Sequence, residues 1–341
     1  MKNNFSKYLS CFLTQYLPDT LGASSNTIIS YCDTFRLFLF YCQNVKGYQI
    51  DKMNVLNITQ ELVISFLDWL EQERNCSIST RNQRLAAICS FGRYLQTQVP
   101  EIVWEIQKIF SIPYKKKPET EIQYITFQDI KNILSCPNPN NAQGRRDRMI
   151  LYLLYDTGAR VNELINIRVQ DVRLDAPAKI RLTGKGMKQR SVPLLDETVG
   201  YLNAYMLEQG LMNADKQMEY LFVNHQKEKF TRMGISYILK KYADAARNVS
   251  GTVPSKVTPH ILRHSKAMHL LQAGVNIVYI KDILGHSDIT TTQIYVKADM
   301  TMKKEALEKA KIELSKTNAA PSWVTDENLM TWLLDFGKTI K

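Results

Sequence analysis

Residues 260–299 decide the fold, and they open on the motif His260-Ile-Leu-Arg-His264. His260 and Arg263 are three residues apart, which places both on one face of a helix. We expect His264 and His269 to face elsewhere and to act as packing residues. The motif therefore predicts a helix that presents an imidazole and a guanidinium together.

Five further positions extend this pattern along the chain. Leu284-Gly-His286 ends a helix at glycine and presents a histidine, and Tyr295 follows nine residues later. Arg160 opens a helix just after Gly158, where its guanidinium and the first amides of the helix suit a phosphate. Glu163 lies one turn further on and is placed to orient that guanidinium. Lys185 stands in Gly-Lys-Gly, at the predicted tip of a hairpin.

The net charge and the motifs that the sequence lacks limit the kinds of reaction that the chain could catalyse. Lysine and arginine exceed aspartate and glutamate by 44 − 33 = 11 in 341 residues, which suits a polyanionic partner. The sequence has no phosphate-binding Gly-x-x-x-x-Gly-Lys-Ser/Thr loop, no Gly-x-Ser-x-Gly elbow, no Cys-x-x-Cys pair and no acidic cluster of a two-metal nuclease. Ile261 replaces the glutamate that a zinc protease would carry after His260. If the chain acts on a phosphodiester, we expect it to use cations and a side-chain nucleophile, with neither metal nor cofactor.

The ordered set resembles the tyrosine recombinase family, also called phage-type integrases, and fills all six catalytic positions of that family. They are Arg160, Lys185, His260, Arg263, His286 and Tyr295. The finer similarity is to integrases and transposases of bacterial mobile elements. The resemblance implies a mainly α fold with a small β-hairpin or sheet, arranged as a two-domain C-clamp. An N-terminal helical, SAM-like core-binding domain would precede a mixed α/β catalytic domain.

The resemblance also implies a role for each residue. Tyr295 would attack the scissile phosphate to form a 3′-phosphotyrosine, leaving a 5′-hydroxyl and conserving the bond energy without ATP. Arg160 and Arg263 would hold the non-bridging oxygens, and Glu163 would support them from behind.

Proton transfers complete the implied mechanism. Lys185 would protonate the leaving 5′-oxygen as general acid. His260 would assist proton transfer at the tyrosine or the phosphate, and His286 would hydrogen-bond the phosphate.

Periodicity predicts the layout of the chain. Residues 1–110 read as all helix, 111–119 as a basic linker and 120–315 as a mixed region. The resemblance implies that residues 1–110 are the helical core DNA-binding domain and residues 120–315 the catalytic domain. Residues 316–341 form a tail whose apolar helix Asp326–Phe336 either docks on a neighbouring protomer or packs on its own domain.

Individual elements follow from local signals. The first helix is expected over Phe5–Leu17 and to stop before Pro18. Ser79 is expected to open another helix. Residues 179–183 and 188–194 predict two strands of a hairpin.

Basic side chains outside the catalytic set are predicted to contact DNA. They are Arg81, Arg84, Arg93, Lys115, Lys116, Lys117, Lys188 and Arg190. Because the helical pattern begins almost at Met1, we expect no further domain for accessory arm sites and binding at simple inverted core sites.

The implied function is site-specific recombination for a mobile genetic element, by integration and excision through a Holliday junction. The alternatives are Xer-like resolution of chromosome or plasmid dimers, a relaxing topoisomerase of the type IB kind, and a non-catalytic DNA-binding regulator. The expected partners are double-stranded DNA core sites and a homotetramer on that DNA, with sister recombinases or accessory proteins as an open addition. We expect a cytoplasmic, nucleoid-associated protein without a membrane segment.

Overall fold

The computed structural model describes residues 4–117, 122–286 and 288–298, together with Thr331, Asp335, Phe336 and Lys338. The chain separates into two compact units, Met1–Thr120 and Glu121–Lys341. Both units are largely helical, and a small sheet lies in the second, which confirms the predicted fold class. Most of the predicted tail, including most of Asp326–Phe336, lies outside the described residues. Among those described, no helix has the length and hydropathy to cross a membrane.

The N-terminal unit is a helical bundle. Its helices are α1 (Phe5–Cys11), a π-helical stretch (Phe12–Thr20), α2 (Ser25–Asn44), α3 (Gln60–Gln72), α4 (Ile78–Gln98) and α5 (Val103–Phe110). Short 3₁₀ turns cover Ile50–Lys52, Val55–Asn57 and Pro100–Ile102.

Two helix boundaries in this unit differ from the prediction. The first helical segment does not stop before Pro18, because its second half widens into π-type turns. A wider turn accommodates a residue that lacks an N–H and whose ring crowds an α-helical turn. Helix α4 begins before Ser79, because the Ser77 hydroxyl caps it by accepting the N–H of Thr80 at 3.2 Å.

The core of the N-terminal unit is aromatic. Phe12 lies 5.1 Å from Phe91 between ring centroids, and Phe35 lies 5.1 Å from Phe91 in an edge-on arrangement. Gly92 lets helices α4 and α5 approach closely, because a Cβ there would lie 3.0 Å from the Ile106 side chain. The unit is thus held by interlocked rings, which bury large areas and prefer tilted contacts.

The second unit is a mixed α/β structure. Its helices are α6 (Phe127–Ser135), α7 (Ala142–Asp156), α8 (Val161–Leu164), α9 (Asp196–Glu208), α10 (Arg232–Ser250), α11 (Pro259–Gln272), α12 (Ile277–Leu284) and α13 (Thr290–Ala298). Its strands are β1 (Val172–Arg173), β2 (Lys179–Thr183) and β3 (Gln189–Pro193). The strands pair antiparallel in the order β1-β2-β3, so the predicted hairpin is present with one short strand added.

Two apolar clusters support the functional part of this unit. The larger one is mainly aliphatic and includes Ile180, Leu182 and Val192 of the sheet. A smaller cluster joins α11, α12 and α13, and Tyr295 is buried in it beside Leu284. Helix α13 was not predicted, because a run of three threonines favours extended structure. The tertiary packing of Tyr295 overrides that preference.

Candidate active site

Arg160 stands at the start of α8 and is joined to Glu163 twice. Its backbone N–H donates to Glu163 Oε2 at 2.8 Å, and its Nη1 donates to Oε1 at 2.8 Å. Gly158 makes the preceding turn possible, because its φ is +57° and a Cβ there would lie 2.8 Å from Leu284 Cδ2. Glu163 therefore orients the Arg160 guanidinium, as the sequence predicted.

Arg190 approaches the same carboxylate from strand β3. Its Nη1 and Nη2 donate to Glu163 at 2.9 and 2.8 Å, and its Nε donates to the Ile283 carbonyl at 2.8 Å. Although burial alone would raise the pKa of the Glu163 carboxyl, the hydrogen bonds from Arg190 and Arg160 lower it to about 2. Glu163 is thus a buried, ionised anchor between two arginines.

The sequence analysis predicted that Arg190 contacts DNA and did not anticipate that its side chain turns toward Glu163. Residues two apart on a strand share a face, and Val192 is buried, so the alternation along β3 carried the signal. Contact between Arg190 and DNA stays a prediction, but its guanidinium is occupied by Glu163 and Ile283 in this structure.

Arg263 is fixed by backbone carbonyls rather than by a carboxylate. It lies on α11, its Nη1 donates to Gly158 O and its Nη2 to Leu284 O, both at 2.6 Å, and it is only 4% exposed. Burial, followed by the charge of Arg160, lowers the pKa of the Arg263 guanidinium to about 10, so it stays charged at neutral pH. This guanidinium is rigid, largely dehydrated and close to that of Arg160.

Tyr295 lies against the two histidines of this region. Its hydroxyl is 2.8 Å from His264 Nδ1, and its ring stacks on His286 with centroids 6.4 Å apart. Burial raises the pKa of the Tyr295 hydroxyl, and the charges of Arg263 and Arg160 act in the opposite direction. The hydroxyl of this tyrosine is therefore within the electrostatic reach of both arginines.

His286 follows the helix-ending Gly285, as predicted. Its Nδ1 lies 2.8 Å from the hydroxyl of Thr292, a buried residue of α13. Burial and the charges of Arg263, Arg160 and Arg190 lower the pKa of the His286 imidazole to about 4. His286 is therefore neutral at pH 7.

The other histidines of α11 divide into two kinds. His269 packs as expected, with its Nδ1 2.8 Å from the Tyr155 hydroxyl and its ring edge-on to Phe127. The prediction that His264 is only a packing residue is wrong, because it contacts Tyr295. Its spacing of four residues from His260 places both on one helical face, which was the overlooked signal.

His260 and Lys185 complete the predicted set. His260 is exposed in the first turn of α11, which Thr258 caps. The backbone of Lys185 lies in the short turn between β2 and β3, where the Gly184 N–H donates to the Lys188 carbonyl at 2.8 Å. The side chain of Lys185 lies outside the described part of the structure, and that of Lys188 is exposed.

The N-terminal unit contains the remaining predicted DNA contacts, and it uses several of them internally. Arg81 is buried and donates to Pro113 O at 3.0 Å, and Arg84 donates to Ser30 O and Thr34 Oγ1, both at 2.9 Å. Arg93 lies over the Phe110 ring at 5.4 Å. The partners of Arg81 and Arg84 explain why neither side chain projects freely into solvent, whereas Arg93 is exposed.

The predicted basic linker begins as part of the same unit. Ile112 is buried in the N-terminal core, and the backbone of Lys115 pairs with the Asn82 side chain. The Lys115 ammonium forms an ion pair with Glu71 at 2.5 Å, whereas Lys116 and Lys117 are exposed. Contact between these lysines and DNA stays a prediction.

The second unit thus places a tyrosine hydroxyl and two neutral histidines near two arginines, Arg160 held by the Glu163 carboxylate and Arg263 held by backbone carbonyls. Paired guanidiniums can hold a phosphate and neutralise the charge that develops in its displacement. The hydroxyl can act as a covalent nucleophile. This combination is typical of enzymes that cleave a phosphodiester by forming a covalent bond between a protein side chain and the nucleic acid.

Comparisons with known proteins identify the family. Residues 123–302 match the Phage integrase family, and residues 12–98 match the Phage integrase, N-terminal SAM-like domain. "Putative integrase/recombinase y4rC" of Sinorhizobium fredii is 34% identical and covers 95% of this chain and 96% of its own. Tyrosine recombinase XerD of Staphylococcus haemolyticus is 33% identical and covers 83% of this chain and 92% of its own.

Solved structures share the fold at lower identity. XerH site-specific recombinase bound to palindromic difH substrate has a TM-score of 0.65 at 21% identity, over 88% of this chain and 84% of that one. The Tn1549 transposon integrase in complex with a circular intermediate DNA has a TM-score of 0.65 at 16% identity, over 90% and 98%. The chain belongs to the phage integrase family. It is a tyrosine recombinase, an enzyme that cleaves and rejoins DNA strands.

Proposed function

We propose that this enzyme recombines DNA at defined sites for a mobile genetic element, in integration and in excision. The observation that carries the proposal is the Tyr295 hydroxyl, buried within reach of the charges of Arg160 and Arg263. The mobile-element role is supported by the integrase/recombinase y4rC, which matches this chain over almost its full length.

The proposed reaction conserves the phosphodiester. The Tyr295 oxygen forms a bond to phosphorus while the bond to the 5′-oxygen breaks, giving a 3′-phosphotyrosine. Lys185 supplies the proton that the leaving 5′-oxygen takes up, and the phenolic proton leaves to a neighbouring base. A 5′-hydroxyl from a partner strand then reverses the step, so no ATP is consumed.

Arg160 and Arg263 bind the two non-bridging oxygens in this scheme. Their hydrogen bonds to Glu163, Gly158 and Leu284 are made in the free protein, so little reorganisation is needed when charge builds up on the phosphate. His260 assists proton transfer, and His286 hydrogen-bonds the phosphate.

The partner of this site is double-stranded DNA that carries inverted core sequences. We propose that four protomers exchange strands pairwise through a Holliday junction, alone or with sister recombinases. The N-terminal helical unit binds the core site, and residues 316–341 link neighbouring protomers. Because the substrate is chromosomal or element DNA, the enzyme works in the cytoplasm at the nucleoid.

A second candidate function is resolution of chromosome or plasmid dimers. It is favoured by the 33% identity to XerD, which extends over 83% of this chain. The two functions use the same chemistry and differ in the DNA site.

Capture of covalent protein–DNA adducts from cells, with sequencing of the attached ends, tests the proposal. We expect adducts at a few discrete sites at element ends, lost in Tyr295→Phe and kept in Tyr279→Phe, an exposed tyrosine of α12. Adducts at one chromosomal locus would establish dimer resolution instead. Scattered adducts would indicate a topoisomerase, and the absence of adducts in the wild type would contradict a strand-transfer function.

A further inference from the structure

We propose that His264 is the positioning residue of the nucleophile, with its neutral imidazole accepting a hydrogen bond from the Tyr295 hydroxyl through Nδ1. The inference rests on the proposed function, since Tyr295 is the nucleophile only if the chain cleaves DNA. It adds a residue outside the set that the sequence predicted.

The geometry of the pair supports this assignment. His264 Nδ1 and Tyr295 Oη are 2.8 Å apart, and the two rings are 5.7 Å apart between centroids. They come from different helices, α11 and α13, and are 31 positions apart in the chain. The contact therefore fixes where helix α13 presents its tyrosine.

The position of His264 on α11 links the nucleophile to the phosphate-binding guanidinium of Arg263. It directly follows Arg263, whose guanidinium is held by Gly158 and Leu284. One helix thus positions both the nucleophilic oxygen, through His264, and a guanidinium for the phosphate, through Arg263. A hydrogen bond to Tyr295 fixes the direction of the oxygen lone pairs relative to that guanidinium, which is the orientation a displacement needs.

The other histidine beside Tyr295 is engaged elsewhere. His286 stacks on the ring of Tyr295, but its Nδ1 is 2.8 Å from the Thr292 hydroxyl. It braces the ring, whereas His264 contacts the oxygen. The division of labour explains why two imidazoles flank one tyrosine.

The protonation state of His264 suits an acceptor. Burial, together with the charges of His260 and Arg263, holds the pKa of the His264 imidazole below its usual value. The titratable and charged groups that face it are His260 and Arg263 on its own helix, His286 after α12 and Tyr295 on α13. Helix α7 also packs on α11. Its charged residue Asp156 forms an ion pair with Lys266 of α11. At neutral pH the imidazole is uncharged, and acid would remove its acceptor.

Single-turnover cleavage tests the proposal on a nicked duplex that carries a site mapped by adduct sequencing. His264→Phe should cleave about 10²-fold more slowly, as expected when a reacting group loses its alignment, with unchanged DNA affinity. His264→Gln should recover most of the rate, because its amide oxygen can accept the hydroxyl. The matched control is His269→Phe, which breaks a His–Tyr pair of the same length on the same helix and should cleave normally.

The pH profile separates positioning from packing. Wild-type cleavage should fall in acid as His264 takes up a proton, and His264→Gln should lack that part of the fall. Equal or faster cleavage by His264→Phe would overturn the proposal, because the hydrogen bond would then be idle or inhibitory.

A DNA-free measurement keeps the inference separate from the proposed function. In ¹⁵N-histidine spectra of the free protein, His264 Nδ1 should be unprotonated at neutral pH. Tyr295→Phe should raise the His264 pKa, because a donated hydrogen bond favours the neutral ring. A protonated Nδ1 in the neutral ring, or no change in Tyr295→Phe, would refute the inference whether or not the wild type forms adducts.

Discussion

Two pairs of arginines, one pair in each unit of this protein, are held by different kinds of partner. In the N-terminal unit, Arg81 and Arg84 donate to backbone carbonyls, a hydroxyl and an amide, all of which are neutral. In the catalytic unit, Arg160 and Arg190 share the carboxylate of Glu163. The first arrangement fixes the side chains and leaves their charge intact, whereas the second cancels part of the charge while fixing it.

The comparison shows how the site stays both ordered and electropositive. Arg160, Arg190 and Arg263 bring three positive charges and Glu163 one negative charge, so two remain near Tyr295. Arg263 is held by carbonyls alone and keeps its full charge. A phosphodiester entering this site would meet cations that are in place but not neutralised.

Removing the carbonyl-held arginine should have the largest effect. Arg263→Ala should slow cleavage about 10²- to 10³-fold, the usual cost of losing one donor to a developing anion. DNA affinity should change little, because phosphates outside the site supply most of it. Arg173→Ala, at an exposed arginine of β1, is the matched control for single-turnover cleavage and should behave as wild type. An undiminished rate in Arg263→Ala would exclude the proposed role of this guanidinium.

Removing the shared carboxylate should have the next largest effect, on stability. Glu163→Gln should lower the free energy of unfolding by about 3–5 kcal/mol, because buried arginine charge loses its partner. Glu208→Gln is the matched control, since Glu208 also accepts two hydrogen bonds from one arginine, Arg145, but at the surface. Its effect should be much smaller in the same denaturant titration. Equal effects would mean that burial of Glu163 adds nothing.

The smallest expected effect sharpens the contrast in the N-terminal unit. Arg84→Met should cost about 1–2 kcal/mol of stability, because it removes two charge-assisted hydrogen bonds. It should leave the salt dependence of DNA binding nearly unchanged. The double change Lys116→Ala, Lys117→Ala should instead reduce the log–log salt slope by about one for each phosphate that the variant no longer neutralises. A reversed pattern would make Arg84 the residue that binds DNA.

Much of the fold and of the site could be predicted from the sequence because local signals carry it. Strand β2 spans 179–183, as the alternation along the sequence indicates. The turn glycines Gly158 and Gly285 indicate the positions of Arg160 and His286, because both glycines have a positive φ that other residues rarely adopt.

The failures concern which way a side chain faces once the chain is packed. Arg190 and Lys188 are both basic residues of the same predicted hairpin. Arg190 binds Glu163, whereas Lys188 is exposed. Likewise, the contact between His264 and Tyr295 spans two helices whose approach depends on the small apolar cluster around Leu284. Such long-range packing leaves little trace in a single sequence.

The central claim is that Tyr295 becomes covalently linked to DNA. We would incubate the wild-type protein with a nicked duplex of a mapped site and identify the DNA-linked peptide by mass spectrometry after proteolysis. We expect the 3′-phosphate of the DNA to be linked to Tyr295, with no linked peptide from Tyr295→Phe. Linkage to any other residue, or linkage that survives in Tyr295→Phe, would contradict it.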